Sequence, residues 1–292
     1  MSDLLGPLHN ITGAQLRAFL AVAENGGFNG AAEALDVAQP TVSKAIRALE
    51  AKTGPLFERR RGSSVKLNDA GQVLEQMAPQ MIHRLVQLRR RLDAVRGSTV
   101  SLRVCTGDYL HPLLAAQIEA FHEEQSLVRV RLEHSPSLPR ALQHLRLGSV
   151  DAVFITEYVR PLDVPDRFVA PGIMGYYETV ELAHGATQAT RPEIRVATLA
   201  HRRRGEREFL ESQENPRLGD TIFAPDYRTL VRMCLDGLGY AQMFGSDASE
   251  GLASGRLRAL PGTETQCFRT CHFLGDDPLL FAFADRIMRA LD

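Results

Sequence analysis

Between Phe28 and Gly71 the apolar positions recur at helical spacing on both sides of a very short break, Asp36-Val37-Ala38. In the first segment Ala31, Ala32 and Leu35 share a face. In the second, Val42, Ala45, Ile46 and Leu49 fall at i, i+3, i+4 and i+7, which predicts a buried stripe. A break of three residues turns one helix sharply onto the next, so the pattern predicts a helix-turn-helix unit. Pro40 suits a first helical turn, where its missing N–H costs nothing, and starts the second helix at about Gln39. Thr41, Ser43, Lys44 and Arg47 are left on the opposite face.

The same reading extends in both directions. Residues 13 to 25 form a first helix with Leu16, Phe19, Leu20 and Ala23 on one side, ended by Asn25-Gly26-Gly27. After Leu56-Phe57, a basic run turns at Gly62-Ser63 and returns as Val65-x-Leu67, the pattern of a two-stranded wing. Asn68 or Asp69 then caps a long helix to about Arg96. Along it Leu74, Met77, Met81, Leu85, Leu88, Leu92 and Val95 form an apolar seam that asks for a partner helix. Pro79 inside the segment removes one backbone bond and predicts a kink, or a helix in two pieces.

Gly97-Ser98-Thr99 reads as a hinge, beyond which strands and helices alternate. The pattern predicts strand 100–105, helix 110–124, strand 128–133, helix 138–147 and strand 150–155, the order of a parallel α/β unit. A less regular second half follows. Strands are expected at 168–170, 179–183, 195–199 and 221–223, with helices at 205–213 and 227–236. Strands at 240–244 and 267–273 precede a last helix at 278–291.

Charge sharpens the picture. The net charge of −1 hides an uneven distribution: residues 1–97 carry 13 Lys or Arg against 9 acids, and the remainder is acidic by 21 against 26. Between Gln39 and Lys66 there are seven cations and two acids, a footprint suited to a phosphate backbone. On the exposed face of the second helix Gln39 can bond an adenine edge, and the hydroxyls and cations can reach bases or phosphates. A charged face is also simply a solvated face, so the wing beside it is what favours nucleic acid.

The run AAEALDVAQPTVSKAIRALE, followed by LFERR and LNDAG, resembles the amino-terminal domain of the LysR-type transcriptional regulators. The likeness is dense over roughly the first 95 residues. It departs in the connection Glu50 to Leu56, one residue shorter than is usual in the family. Farther on, Leu145, Gly148, Asp151, Ala152 and Val153, and the Gly237-x-Gly239 turn, are similar to the effector-binding half of the same family. The resemblance implies an α+β protein with a winged helix-turn-helix (1–68), a linker or dimerisation helix (69–98) and a two-lobed α/β effector-binding domain like a periplasmic binding protein. Its lobes would be 99–160 with 266–292, and 161–265. It implies double-stranded promoter DNA as a partner, contacted by Asn29, Gln39, Pro40, Thr41, Ser43, Lys44, Arg47, Arg59, Arg60, Arg61 and Lys66. It further implies a homodimer or homotetramer built on Leu74, Met77, Met81, Leu85, Leu88 and Leu92, and a small organic effector, often a carboxylate.

Ligands of α/β sheets sit beyond the carboxyl ends of the strands. That rule nominates Thr106, Gly107, Ser135, Ser137, Thr156, Thr198, Phe223, Asp226 and Tyr227 for the effector; for each hydroxyl, a helix cap without a ligand is the alternative. An enzyme reading finds no G-x-S-x-G, H-E-x-x-H or phosphate-loop motif, and no cofactor or metal set is expected. Cys105 and Cys234 stand apart, and Cys267 and Cys271 are spaced C-x-x-x-C, which fits buried thiols or, alternatively, a redox switch. On one strand these two would lie roughly 13 Å apart, too far for a disulfide without rearrangement. No apolar run reaches about 18 residues, and the first residues carry an acid in place of a basic leader, so a cytoplasmic protein is expected.

Overall fold

A computed structural model describes residues 6–58, 65–107, 111–135, 137–180, 193–196 and 221–291. Helix α1 (Gly13–Asn25) starts at Thr12 with a capping box. The Gln15 amide donates to the Thr12 hydroxyl at 3.3 Å, and the Thr12 amide donates to Gln15 Oε1 at 3.0 Å. It ends at Gly26, whose φ of 65° turns the chain directly into α2 (Phe28–Leu35). The turn to α3 (Gln39–Thr53) is made by Asp36, left-handed at φ 53°. Its amide donates to Glu33 and that of Val37 to Ala32, which closes the turn. The short side chain of an aspartate is tolerated there better than most.

Leu16, Phe19, Leu20, Val22, Ala31, Val42, Ile46, Leu49 and Leu56 close one core around these helices, and Phe57 stacks on Phe19 at 5.6 Å between centroids. Ala45, expected in the stripe, is half-buried and packs against that core. Helix α4 (Asp69–Val95) has 27 residues, about 40 Å at 1.5 Å per residue, and is capped by Asn68, whose carboxamide oxygen accepts from the Gly71 amide at 2.9 Å. The expectation of two pieces at Pro79 is corrected: one helix runs through it. Ala78, Pro79, Ile82 and His83 are buried together there, and that packing holds the turn despite the lost backbone bond.

The rest of the described chain is built on one nine-stranded mixed sheet in the order β2-β1-β3-β9-β4-β7-β5-β6, with β8 paired to β4. The first lobe places β1 (Val100–Thr106) between β2 (Val128–His134) and β3 (Ala152–Glu157), all parallel, with α5 (His111–Glu124) and α6 (Leu138–Arg146) as crossovers. The second lobe contains β4 (Val169–Thr179), β5 (Glu193–Val196), β6 (Thr221–Ala224), α7 (Tyr227–Leu235), β7 (Tyr240–Phe244), α8 (Gly245–Ala253) and β8 (Leu257–Ala259). Strand β9 (Thr265–Phe273) pairs antiparallel with β3 on one side and β4 on the other, joining the lobes, and α9 (Pro278–Arg289) packs on the first.

The second lobe departs from expectation. The strand expected at 168–170 is instead an eleven-residue strand, β4, that runs on to Thr179, and most of the strand expected at 179–183 lies outside the described residues. Pro171, Gly172 and Gly175 read as breakers, but β9 holds Val169 to Met174 and β7 holds Met174 to Glu178, so pairing on both edges overrides local preference. Helix α8 and strand β8 were not expected, because Gly245, Ser246 and Gly251 are poor helix formers. Packing makes them: Gly251 lies so close to Leu257 that a Cβ would be 2.6 Å from its side chain. The expected helix at 205–213 lies outside the described residues, as does the end of the strand at 195–199.

Candidate nucleic-acid interface and ligand cleft

Helix α3 turns Val42, Ile46 and Leu49 into the core, which fixes its other side outward. Gln39, Pro40, Thr41, Lys44 and Arg47 are exposed there, and Ser43 is half-buried. Gln39 Nε2 donates to Ser43 Oγ at 2.8 Å and Arg47 Nε to the Ser43 carbonyl at 3.3 Å, so the polar row is ordered along one helix face. The amino end of α3 has no side-chain cap; Pro40 carries no N–H and the Thr41 amide donates to the Ala38 carbonyl at 2.9 Å. A groove of about 520 Å³ opens beside it, lined by Asn29, Glu33, Asp36 and Gln39 among others, which brings Asn29 next to the same helix end.

The wing is anchored beside this face. Phe57 and Leu67 form an antiparallel bridge, and the Glu58 amide donates to the Lys66 carbonyl at 2.9 Å. Lys66 is exposed at its root; Arg59, Arg60 and Arg61 lie outside the described residues.

Along α4 the predicted seam divides. Met77, Met81, Leu85, Leu88, Leu92 and Val95 are exposed, between 39% and 87%, which is unusual for large apolar side chains on one helix. Leu74 instead packs against the winged-helix core. The opposite face buries Ile82, His83, Gln87 and Arg90 against the first lobe.

The cleft candidates separate into committed and uncommitted groups. Thr106 is buried and its hydroxyl donates to the Gly107 carbonyl at 3.2 Å, while the Gly107 amide donates to Phe154 at 3.2 Å. That amide is therefore not available to an anion, contrary to expectation. The Ser135 hydroxyl donates to the Ser137 carbonyl at 3.1 Å. Asp226 caps α7, accepting from the Thr229 amide and hydroxyl at 2.9 and 3.0 Å, and these bonds hold its carboxyl below the usual range. Tyr227 is buried; its hydroxyl donates to Asp247 at 2.6 Å and accepts from the Phe244 amide at 3.1 Å, a clamp between α7, β7 and α8. Burial pushes the Asp247 carboxyl up. Ser137 precedes α6 without making the expected cap bond. The Thr156 hydroxyl is buried with no hydrogen-bond partner among the described residues, a costly state for a polar atom. Strand β6 carries Phe223, and Thr198 lies outside the described residues.

Sequence reasoning missed two buried polar groups. On β3 and β9, Glu157 Oε1 accepts from the Thr270 hydroxyl at 2.7 Å and lies 2.9 Å from His272 Nε2. Under α4, Arg90 is 2.9 Å from Asp151 and 2.5 Å from Asp277. Arg90 sits in the run Arg89-Arg90-Arg91, which reads as a solvated face; only Asp151, in the Leu-x-x-Gly-x-x-Asp segment, carried a signal. All four cysteines are buried free thiols, Cys267 in the core of the second lobe and Cys271 in that of the first. Burial pushes Cys105 and Cys267 up to about 11 and Cys271 well above the ordinary thiol value, which disfavours the thiolate at these three. No helix among the described residues is long and apolar enough to cross a membrane.

Comparison with known proteins bears on the whole arrangement. The family model for bacterial regulatory helix-turn-helix proteins, lysR family, matches residues 14–72. The HTH-type transcriptional regulator BudR of Klebsiella aerogenes is 34% identical over 119 residues, 39% of this chain and 82% of that protein. An HTH-type transcriptional regulator of Azotobacter vinelandii is 42% identical over 84 residues, 29% of this chain and 58% of that one. The chain spans about half to three fifths of the length of several curated relatives it matches. Among solved structures, full-length LTTR LysG from Corynebacterium glutamicum with bound effector Arg superposes with a TM-score of 0.59 at 19% identity, covering 96% of this chain and 98% of that one. This likeness is one of fold.

Proposed function

Since the chain belongs to the LysR family of transcriptional regulators, we propose that it binds promoter DNA through α3 and the wing under the control of a small organic effector held between the lobes. The observation that carries the DNA half is the exposed row Gln39, Thr41, Lys44 and Arg47, on a helix whose other side is locked into the core. Gln39, Ser43 and Arg47 read base edges at the floor of the major groove. Lys44, Lys66 and the arginines 59 to 61 hold phosphates, Asn29 approaches from α2, and Pro40 and Thr41 set the helix end against the backbone.

A second copy of the chain covers Met77, Met81, Leu85, Leu88 and Leu92. The support is their exposure on the side of α4 turned away from its own buried face. A pair of α3 helices then reads two half-sites, and the partly palindromic site mirrors the two-fold axis. The units of this assembly are those expected from the sequence: 1–68, 69–98, and two lobes divided near residues 160 and 265.

The effector reading is supported by the unpartnered Thr156 hydroxyl and by Ser137, both at carboxyl ends of strands of the first lobe. A ligand oxygen or nitrogen satisfies Thr156 and so favours one lobe arrangement. Coupling of about 1 to 3 kcal/mol between ligand and DNA suffices for a 5- to 150-fold change in affinity.

Selection of duplexes from a random-sequence library by the purified chain tests the DNA half. Enrichment of a partly palindromic site that Arg47→Ala binds weakly is the expected result, and no enrichment rejects the reading. A thermal-shift screen against small organic acids tests the effector half. A ligand at 100 times its Kd adds about 2.7 kcal/mol, and the shift should vanish in Thr156→Val.

A further inference from the structure

Contacts between the winged-helix unit with its long helix and the effector-binding half fall in two places: Arg84, Gln87 and Arg90 meet Asp276 and Asp277 before α9, and a denser set meets one short segment, residues 145–151, between α6 and β3. Leu147 is 2% exposed and belongs to the winged-helix core, with Ala78 and Ile82. The Leu145 carbonyl lies 2.7 Å from His83 Nε2. Arg146 pairs with Glu24 of α1 at 2.7 Å and reaches Glu75 of α4 at 3.5 Å. Arg17 of α1 donates to the Ser149 hydroxyl at 3.4 Å. Gly148, left-handed at φ 65°, comes so close to α4 that a Cβ there would lie 2.5 Å from Ile82 Cγ2. Asp151, fully buried, ends the segment with its carboxylate on Arg90 at 2.9 Å and on the Arg103 amide at 2.8 Å.

Leu145 through its carbonyl, Arg146, Leu147, Gly148 and Asp151 thus reach the long helix and Ser149 reaches α1, while Val150 packs in the first lobe. The residue after Asp151 begins β3, and β3 ends in Thr156 and Glu157 at the cleft. Six residues at 3.3 Å span about 20 Å, as a central strand bonded on both sides. A strand so held moves as a unit, and close-packed contacts at its far end switch between discrete arrangements and do not stretch.

We propose that residues 145–151 are the joint that passes the state of the cleft to α1 and α4, with β3 as the connecting rod. This rests on the effector and DNA readings above and adds the route between them. A displacement at Thr156 shifts Asp151 against Arg90 and Leu147 against Ile82, and so re-aims the two DNA-binding units of a dimer.

The test needs no knowledge of the effector. A Gly148 Cβ would lie 3.9 Å from Ile82 Cβ, within the span of a disulfide, and the four native thiols are buried. The double variant Ile82→Cys with Gly148→Cys therefore fixes the joint when oxidised and frees it when reduced. The probe is the duplex selected from the random library. Binding that duplex should alter amide exchange across residues 145–157 in the unmodified chain. The oxidised pair should change duplex Kd about 5-fold or more relative to its reduced form, with no redox effect in the unmodified chain. Arg146→Ala, which cuts only partly exposed contacts to Glu24 and Glu75, supplies a second readout where the cysteine pair strains the left-handed turn: it should diminish the duplex-dependent exchange change at 152–157. Exchange there indifferent to the duplex, with equal Kd in both redox states, overturns the joint while leaving DNA binding intact. Failure to select any duplex rejects the DNA reading and this inference with it.

Discussion

Gly71 sits directly against the carbonyl of Leu56: a Cβ built on Gly71 would lie 2.2 Å from that oxygen. The same carbonyl accepts the Asn68 amide at 3.1 Å, so the start of the long helix is pressed onto the end of the helix-turn-helix core. This explains why the Leu-x-x-Ala-Gly ending must finish in glycine. Gly71→Ala should lower stability by about 1 to 3 kcal/mol, because backbone and not a pliable side chain meets the new methyl. Thermal unfolding of the full chain measures it; an unchanged midpoint would mean that the contact relaxes freely.

Arg47 is exposed and, among the described residues, bonds along its own helix. Its replacement by alanine should leave stability within about 0.5 kcal/mol and yet weaken the selected duplex by about 1 to 3 kcal/mol. Equal affinities for the selected and a scrambled duplex in the variant would place Arg47 among the base readers. A uniform loss on both would make it a phosphate contact.

Arg90 neutralises two buried carboxylates, Asp151 and the α9 cap Asp277. Arg90→Met leaves both without it, and removal of one member of such a group costs about 3 to 5 kcal/mol. Asp151 keeps Arg103 at 3.1 Å, so the lower end of that range applies. Urea unfolding followed through both the winged-helix and the sheet signals should show a lower midpoint in each; a change confined to one signal would show that the two halves unfold independently.

His83 gives the same region a pH dependence. Burial holds its imidazole below the ordinary 6.5, outweighing the bond to the Leu145 carbonyl, with Arg90 and Arg103 pushing the same way and Asp151 opposing. The unfolded chain therefore binds the proton more readily than the folded one. Stability from the neutral ring is present above pH 6.5 and falls away as pH drops through the lowered folded value. His83→Gln should flatten the pH dependence of the unfolding midpoint below 6.5; an identical slope would assign acid sensitivity to other groups.

Thr156 makes an opposite kind of forecast. Its buried hydroxyl has no partner among the described residues, so Thr156→Val should not destabilise the ligand-free protein and should gain up to about 1 to 3 kcal/mol. A marked loss of stability in the variant would show that the hydroxyl is already satisfied, by water for instance, and would remove the main support for a ligand at this point.

Local pattern carried the first third of the chain, because each boundary there is set by chemistry within a turn of it. The Thr12–Gln15 box, Gly26, Pro40 and Asn68 all act on near neighbours, so α1, α3 and α4 begin or end where the residues say. The second lobe was harder because its elements are made by distant partners: Pro171 and Gly172 stay in a strand only because Phe268 and Cys267 lie across from them. The DNA-facing row was legible as the complement of a buried stripe. The cleft was not, since hydroxyls after strands look alike in sequence, and only the structure separates a satisfied Tyr227 from an unsatisfied Thr156. Arg90 was hidden for the same reason, as one of three consecutive arginines.

Strand β9 fixes an order of events during synthesis. It is formed by residues 265–273, yet it fills the place beside β3, whose residues left the ribosome more than a hundred positions earlier. Among the described residues the winged-helix core draws on none beyond Leu147, so it can consolidate while the first lobe still waits with an open sheet edge. That interval exposes an unpaired apolar strand, a surface prone to aggregation and one that chaperones bind. Chains truncated anywhere between residues 160 and 265 should therefore yield a competent DNA-binding head attached to a sticky, unfinished sheet.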